Sequence, residues 1–167
     1  MTRRALLFGL LLVACAAGAQ APREAHGSAD VYSERGIALA WAILRGASES
    51  ETSVVIRVAT DSALYGSAVV IGLNPFTHAE QVLRGPAPVA AGGFDAYILR
   101  SRFADFPRTE IRLFANAAAA QSGVPALTVF YLGVPDTAPE FADRAKLESY
   151  LAARIERARS APPKASP

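Results

Sequence analysis

The sequence predicts a mainly β domain: an antiparallel β-sandwich of six to seven strands with a C-terminal α-helix, with an α+β arrangement as the alternative. Three observations support this prediction. Short segments with alternating apolar residues recur along the middle of the 167-residue chain, turn-forming residues separate these segments, and one longer amphipathic segment follows them.

Six segments have the alternation of strands. Every second residue in them is apolar, apart from Ser101, and many are β-branched or aromatic, as in a strand that turns one face to a core. The segments are 37–43, 54–58, 69–73, 97–103, 111–113 and 127–131. The first segment also fits a helical stripe through Ile37, Trp41 and Leu44. Gly36 and Gly46 bound this segment and favour a strand.

One pair of strands is predicted to form a hairpin. Residues 95–103 and 109–114 flank a turn that contains Pro107, whose ring fixes φ and removes a backbone donor. Pairing across this turn would place Leu99 opposite Leu113 on a buried face.

The connection after the third strand is predicted to contain a short helical turn. Thr77 and Glu80 have the spacing of a capping box, which places the turn over residues 78–83. Residues 85–93 contain several glycines and prolines and are expected to form an irregular loop.

The C-terminal segment 140–159 is predicted to be a helix. Leu147, Leu151 and Ile155 fall near one face, which is typical of a helix packed on a sheet or over an edge strand. Acidic residues lie early in the segment and basic residues lie late, and this order matches the helix dipole.

These elements place a single domain at residues 31–159. Residues 20–30 are predicted to be a flexible lead-in, and residues 160–167 a disordered, proline-rich tail. The number and spacing of the strands resemble those of an immunoglobulin-like domain, although the chain lacks the cysteine pair of antibody domains. The resemblance implies a scaffold that binds more often than it catalyses.

Residues 1–19 have the pattern of an export signal. Arg3 and Arg4 precede a short apolar run over residues 6–14, and small residues at 17–19 form a cleavage site. The mature protein is therefore predicted to be periplasmic or secreted, with no transmembrane segment. Residues 12–15 also resemble a lipobox, so the alternative is a membrane-anchored lipoprotein lipidated at Cys15.

Charge bears on the kind of partner. The chain has 17 basic and 15 acidic residues, and two of the basic residues lie in the export signal, which contains no acid. The mature chain is therefore neutral, whereas a nucleic-acid-binding protein is expected to be basic. We expect a protein of the bacterial envelope as the partner, and no nucleic acid.

The chain offers few residues for catalysis. Its two histidines, His26 and His78, are far apart in sequence, and no metal-ligand spacing, phosphate-binding loop or nucleophile elbow is present, so we expect neither a metal nor another cofactor. The alternative is a small envelope enzyme with glycoside hydrolase-like chemistry. It requires convergence of acids that lie at predicted strand ends or turns, namely Asp61, Asp95, Asp105 and Glu110.

Arginines form the candidate binding group. Arg57, Arg100, Arg102 and Arg112 all fall on predicted strands and would form a face for an acidic partner if those strands were neighbours. The alternative is a solvated face whose arginines are balanced by nearby acids.

Exposed aromatic residues are a second possible anchor. The candidates near loops are Tyr65, Phe76 and Phe106, while Trp41 is expected in the core. The prediction for the whole chain is a non-catalytic, exported binding or accessory protein that acts through protein–protein contacts.

Overall fold

The described parts of the chain form ten β-strands and two α-helices. The computed structural model describes residues 23–25, 32–34, 36–89, 93–133 and 138–160. The strands are β1 (Arg23–Ala25), β2 (Tyr32–Glu34), β3 (Ile37–Leu44), β4 (Ser53–Thr60), β5 (Ser67–Asn74), β6 (Ala79–Pro88), β7 (Phe94–Leu99), β8 (Arg108–Phe114), β9 (Thr128–Gly133) and β10 (Glu140–Phe141). The helices are α1 (Ala117–Gln121) and α2 (Arg144–Ser160). The predicted export signal, Cys15, His26 and residues 161–167 lie outside the described residues.

The strands form two sheets that pack face to face. The first sheet has the order β1-β9-β8-β5-β6, and the second has the order β10-β3-β4-β7, with β2 also paired to β3. Most neighbouring strands are antiparallel, whereas β1 with β9 and β10 with β3 are parallel. The predicted β-sandwich with a C-terminal helix is confirmed.

The order in which the chain visits the two sheets is that of an immunoglobulin-like sandwich. A hairpin of β3 and β4 lies in the second sheet and a hairpin of β5 and β6 in the first; β7 then returns beside β4, and β8 and β9 are added beside β5. The correspondence with the G-F-C-C′ sheet of an immunoglobulin domain is formed by strands β9, β8, β5 and β6, in that order.

The segment that fitted either a helix or a strand is strand β3, and it is buried on both faces. Ile37, Leu39 and Trp41 point into the space between the sheets, whereas Ala38 and Ala40 point to the opposite side. A strand covered on both faces needs no polar side, which explains why its sequence carried a weak period-two signal.

The core between the sheets is built by the inward residues of each strand. Side chains at alternate positions of β3, β4 and β7 meet those of β5, β8 and β9. The largest fully buried residues of this layer are Phe130, Ile37, Leu39, Ile43, Ile56, Ile98, Ile111, Leu113 and Val54.

Helix α2 packs on the outer face of the second sheet. Leu147, Leu151 and Ile155 contact alanines of β3 and Val55 of β4. The three helix residues are spaced by four, so they share one face. The small alanine side chains leave room for the helix to lie close to the sheet.

The helix begins later than predicted, because residues 139–141 pair with β3 first. The backbone N–H of Ile43 donates to the carbonyl of Pro139 at 2.9 Å, and Glu140–Phe141 forms β10. The side chain of Asp143 then accepts from the N–H of Ala145 at 2.8 Å and caps the helix. Helix α2 therefore spans Arg144–Ser160 and not 140–159.

The predicted hairpin of 95–103 with 109–114 is wrong. Strand β7 pairs with β4, and β8 pairs with β5 and β9, so the two segments belong to different sheets. A 3-10 turn over Arg100–Phe103 carries the chain from one sheet to the other, with Phe103 buried. Leu113 is buried as predicted, but Leu99 is exposed.

The predicted helical turn over 78–83 and loop over 85–93 are also wrong, because β6 covers most of this region. The side chain of Asn74 accepts from the N–H groups of Phe76 and Thr77 at 3.0 and 3.1 Å and closes a hairpin turn between β5 and β6. His78 completes the turn with a φ of 55°. Asn74, and not Thr77, therefore organises the backbone here.

The predicted flexible lead-in, residues 20–30, contains a strand. Residues 23–25 form β1, with Arg23 opposite Phe130 of β9. The other residues of the lead-in lie outside the described residues.

Replacing Leu151 with alanine tests the packing of α2. We expect the free energy of unfolding to fall by about 2–5 kcal/mol, because Leu151 is fully buried between helix and sheet. Lys146→Ala, an exposed change on the same helix, is the control and should stay within about 0.5 kcal/mol of wild type. Chemical denaturation measures both, and equal small effects would mean that the helix does not pack as described.

Candidate functional site

The four candidate arginines do not share a face. Arg57 lies on the outer side of β4, under α2, whereas Arg112 lies on β8 in the opposite sheet. Arg100 and Arg102 lie in the 3-10 turn between the sheets. The structure therefore places these residues on separate parts of the molecule.

Each of these arginines has a partner within the protein. Arg100 bonds Glu140 at 3.1 Å, and Arg112 bonds Glu110 at 2.7 Å. Arg102 contacts the carbonyl of Leu83 at 3.5 Å. Carboxylates of this chain therefore already neutralise the charges of Arg100 and Arg112. The charge of Arg57 is neutralised in the same way.

Arg57 is the centre of a charged cluster that joins β4, β7 and α2. Its guanidinium donates to both carboxylate oxygens of Asp95, at 2.8 and 2.6 Å, and also bonds Glu148 of α2. Glu148 accepts from the hydroxyl of Tyr97 at 2.9 Å, and the guanidinium of Arg144 lies 5.2 Å from the Tyr97 ring centre. The cluster ties the helix to the sheet.

The contacts of the cluster keep Arg57, Glu148 and Tyr97 in the charge states that these groups ordinarily have at neutral pH. The hydrogen bond with Asp95 raises the pKa of Arg57, and the hydrogen bond from Arg57 lowers the pKa of Glu148 below 4.5, its ordinary value. Desolvation, followed by the bond to Glu148, raises the pKa of Tyr97. Glu148 is therefore an anion and Tyr97 a neutral hydroxyl at neutral pH, which suits a structural tie.

The carboxylates considered for catalysis do not converge. Asp61 follows β4 at one end of the sandwich, and Asp105 precedes β8 at the other. Asp95 lies on the outer face of the second sheet and Glu110 on the outer face of the first. A glycosidase-type pair requires carboxyl groups about 5–9.5 Å apart on either side of one bond. Asp61 and Asp105 lie at opposite ends, and Asp95 and Glu110 lie on opposite outer faces, so neither of these two combinations forms that pair.

His78 lies in the exposed β5–β6 turn. Within residues 23–25, 32–34, 36–89, 93–133 and 138–160, no group of three or more histidine, cysteine or acidic residues is placed to hold a metal ion. Of the helices in that same part of the chain, none is both long and apolar enough to cross a bilayer.

A cleft of about 460 Å³ opens between the second half of α2 and the start of β7. Phe94 and Ile155 contribute apolar surface to it, and Asp95 and Arg159 line it with charge. Its volume is in the range of small-molecule sites. Arg159, however, already bonds Asp61 at 2.8 Å, so its charge is compensated within the protein.

Three exposed apolar side chains lie at one end of the sandwich. Leu64, in the β4–β5 loop, is 68% exposed; Val124 and Leu127, in the β8–β9 connection, are 53% and 48% exposed. We call residues 61–66 and 115–127 the loop end. All residues from 115 to 133 are uncharged, and Asp61 is the one acid of residues 61–66. Arg159 pairs with Asp61 at 2.8 Å, so the apolar side chains of this surface lie among uncharged or charge-compensated residues.

Hydrogen bonds hold the loop end in place. The hydroxyl groups of Tyr65 and Thr128 bond each other at 2.9 Å and join the two segments. The N–H of Gly66 donates to the carbonyl of Phe114 at 2.9 Å, and the N–H of Leu127 donates to that of Leu113 at 2.8 Å. Leu64 and Leu127 each adjoin a residue of the Tyr65–Thr128 bond, so their backbone positions are set by the sandwich.

Sequence reasoning did not identify the loop end. It singled out aromatic residues, of which Trp41 is buried as expected, Tyr65 is also buried, and Phe76 is 86% exposed at the opposite end. Leu64 and Val124 are isolated apolar residues in turns, so no periodic pattern marks them. The available signal was Val124 between Gly123 and Pro125, where a large apolar residue occupies a turn and not a strand or helix.

Comparison with protein-family models, with curated proteins and with solved structures gives no match for this chain.

Acid titration tests the Arg57 cluster. Because the folded-state pKa of Glu148 is lowered, its ionisation stabilises the fold above the unfolded-state value of about 4.5, and that stability is lost as the pH falls through the folded-state pKa. Glu148→Gln should therefore flatten the decline in unfolding free energy below about pH 4.5. Ser149→Ala, on the same helix, is the control and should keep the wild-type decline. A wild-type decline in Glu148→Gln would contradict the assignment.

Proposed function

We propose that this protein is an exported, non-catalytic binding protein that contacts a protein of the bacterial envelope through its loop end. The observation that carries the proposal is the exposure of Leu64, Val124 and Leu127 on two adjoining segments at one end of an immunoglobulin-like sandwich. Variable immunoglobulin domains bind through the corresponding loops, those between strands B and C and between F and G.

The chemistry of the loop end supports binding to another protein. Exposed apolar groups contribute roughly 25 cal/mol per Å² when a partner covers them, and depletion of charge is typical of the centre of protein interfaces. The hydrogen bonds at Tyr65, Gly66 and Leu127 hold the backbone before a partner arrives. Little conformational entropy then has to be lost on binding.

The positions of the acidic residues support a non-catalytic function. Asp95 is engaged by Arg57 through both oxygens, Asp61 is engaged by Arg159, and Asp105 lies at the far end of the sandwich. The groups needed for acid–base chemistry are therefore separated and occupied.

Export is supported by residues 1–19, which combine two arginines, a short apolar run and small residues. We propose cleavage after Ala19 and release of a free protein, with lipidation at Cys15 as the alternative. Mass spectrometry of the mature N-terminus distinguishes the two. A chain beginning at Gln20 is the expected result, whereas a diacylglyceryl group on Cys15 would show a tethered protein.

Substitution of the loop end tests binding. Leu64→Ser combined with Leu127→Ser should reduce recovery of the partner from envelope extract by at least about tenfold, equivalent to a loss of about 1.4 kcal/mol of binding free energy. Phe76→Ser is the matched control, because Phe76 is also exposed but lies at the opposite end. Quantitative mass spectrometry of the captured proteins measures the effect.

The control has to retain the captured partner, and thermal melting has to show that each variant is folded. Unchanged capture by the double variant, or equal loss in Phe76→Ser, would contradict binding through the loop end.

A further inference from the structure

The four lateral edges of the sandwich are not equally protected. In the second sheet, β2 pairs with residues 37–39 and β10 with residues 43–44, so these two strands cover the outer edge of β3. In the first sheet, the three-residue strand β1 covers β9. Short strands and added strands are common means of blocking an edge.

The edge at β6 is protected in a different way. Pro86 and Pro88 lack a backbone N–H, and the pairing of β6 with β5 has register shifts near Val70. Prolines and bulges both prevent regular pairing with another strand.

Strand β7 has none of these protections. It spans Phe94–Leu99 without a proline or glycine, and among the described residues its backbone pairs only with β4. Alternate N–H and C=O groups of an edge strand point away from its neighbour, where another strand can pair with them. Among the described residues, no second strand is paired to this edge of β7.

We infer that β7 is the interface between two copies of this chain. The two β7 strands pair antiparallel about a two-fold axis at Tyr97, so that the second sheets of both copies join into one continuous sheet. This interface is separate from the loop end.

The residues of β7 are complementary to a second copy of themselves. A two-fold axis perpendicular to the sheet keeps the inner faces of the two joined sheets on the same side. Residues at equal distances before and after Tyr97 then lie opposite each other across the interface. Asp95, the one charged residue of β7, then faces Leu99 and not a second Asp95. Ala96 and Ile98 are already buried within each copy, so the apolar contact added by association comes from Tyr97 and Leu99.

The outer side of β7 has apolar surface to bury. Tyr97 is 39% exposed and Leu99 is 45% exposed, and both lie at or beside the axis. The hydroxyl of Tyr97 already donates to Glu148 at 2.9 Å and accepts from Arg144 at 3.2 Å. The partner copy can therefore cover the ring without leaving the hydroxyl unpaired.

The charge on this edge is neutralised before association. Both carboxylate oxygens of Asp95 are held by Arg57 within the same copy. Burying an unpaired carboxylate would oppose association strongly, and this ion pair removes that obstacle. Because the paired strands run antiparallel, the two loop ends lie at opposite ends of the dimer and both stay accessible.

A cysteine scan tests the interface and its register. Cys15 is the one cysteine of the chain, so Cys15→Ser provides a thiol-free background. In that background Tyr97→Cys should form a disulfide-linked dimer on mild oxidation, because directly opposite residues have Cβ atoms about 4.5–5.5 Å apart. Leu99→Cys and the exposed β6 variant Val82→Cys should cross-link at least about tenfold more slowly.

Light scattering on the Cys15→Ser protein measures association without any cross-link, and a dimer is expected. Leu99→Lys, a change at an exposed position, should shift the protein to monomer while its melting temperature stays close to that of wild type. A monomer in the Cys15→Ser protein, growth beyond a dimer, or cross-linking of Val82→Cys at the rate of Tyr97→Cys would overturn the inference.

Discussion

The second sheet is packed on both of its faces, and this constraint governs where the molecule can make contacts. Its inner side chains form the core with the first sheet, and its outer alanines lie under α2. Strand β3 is therefore unavailable as a binding face. The same packing brings Arg57 under the helix, where its charge is used to tie α2 to β4 and β7.

The two parts of the molecule that we propose for interaction with other molecules are the loop end and the edge at β7. The β4–β5 connection crosses between the sheets and lies beside the β8–β9 connection of the first sheet, and hydrogen bonds from Tyr65 and Leu127 set the position of both. Within the part of the chain that the structure describes, β7 is the edge strand that is neither covered by a further strand nor interrupted by proline, since β3, β6 and β9 are covered or interrupted. Binding at the loop end and association at β7 are thus compatible in one molecule.

The sequence was sufficient to predict the sandwich and its terminal helix but not the pairing of its strands. Alternation shows which residues face a core, as it did for Leu113, but it does not show which strand lies alongside. Residues 95–103 and 109–114 therefore looked like a hairpin, although they face each other across the core. For the same reason the sequence did not show that the arginines lie apart: Arg57 and Arg112 point outward from different sheets. Loop residues such as Leu64 have no period, so only the folded structure revealed their exposure.

Hydrogen–deuterium exchange on the complex with the captured partner tests the central claim most directly. The account predicts that partner binding slows exchange in residues 61–66 and 115–127, and that the outer face of the first sheet and the β5–β6 turn at Phe76 keep their exchange rates. Protection centred on the β5–β6 turn or on the outer sheet face, with an unchanged loop end, would contradict the account.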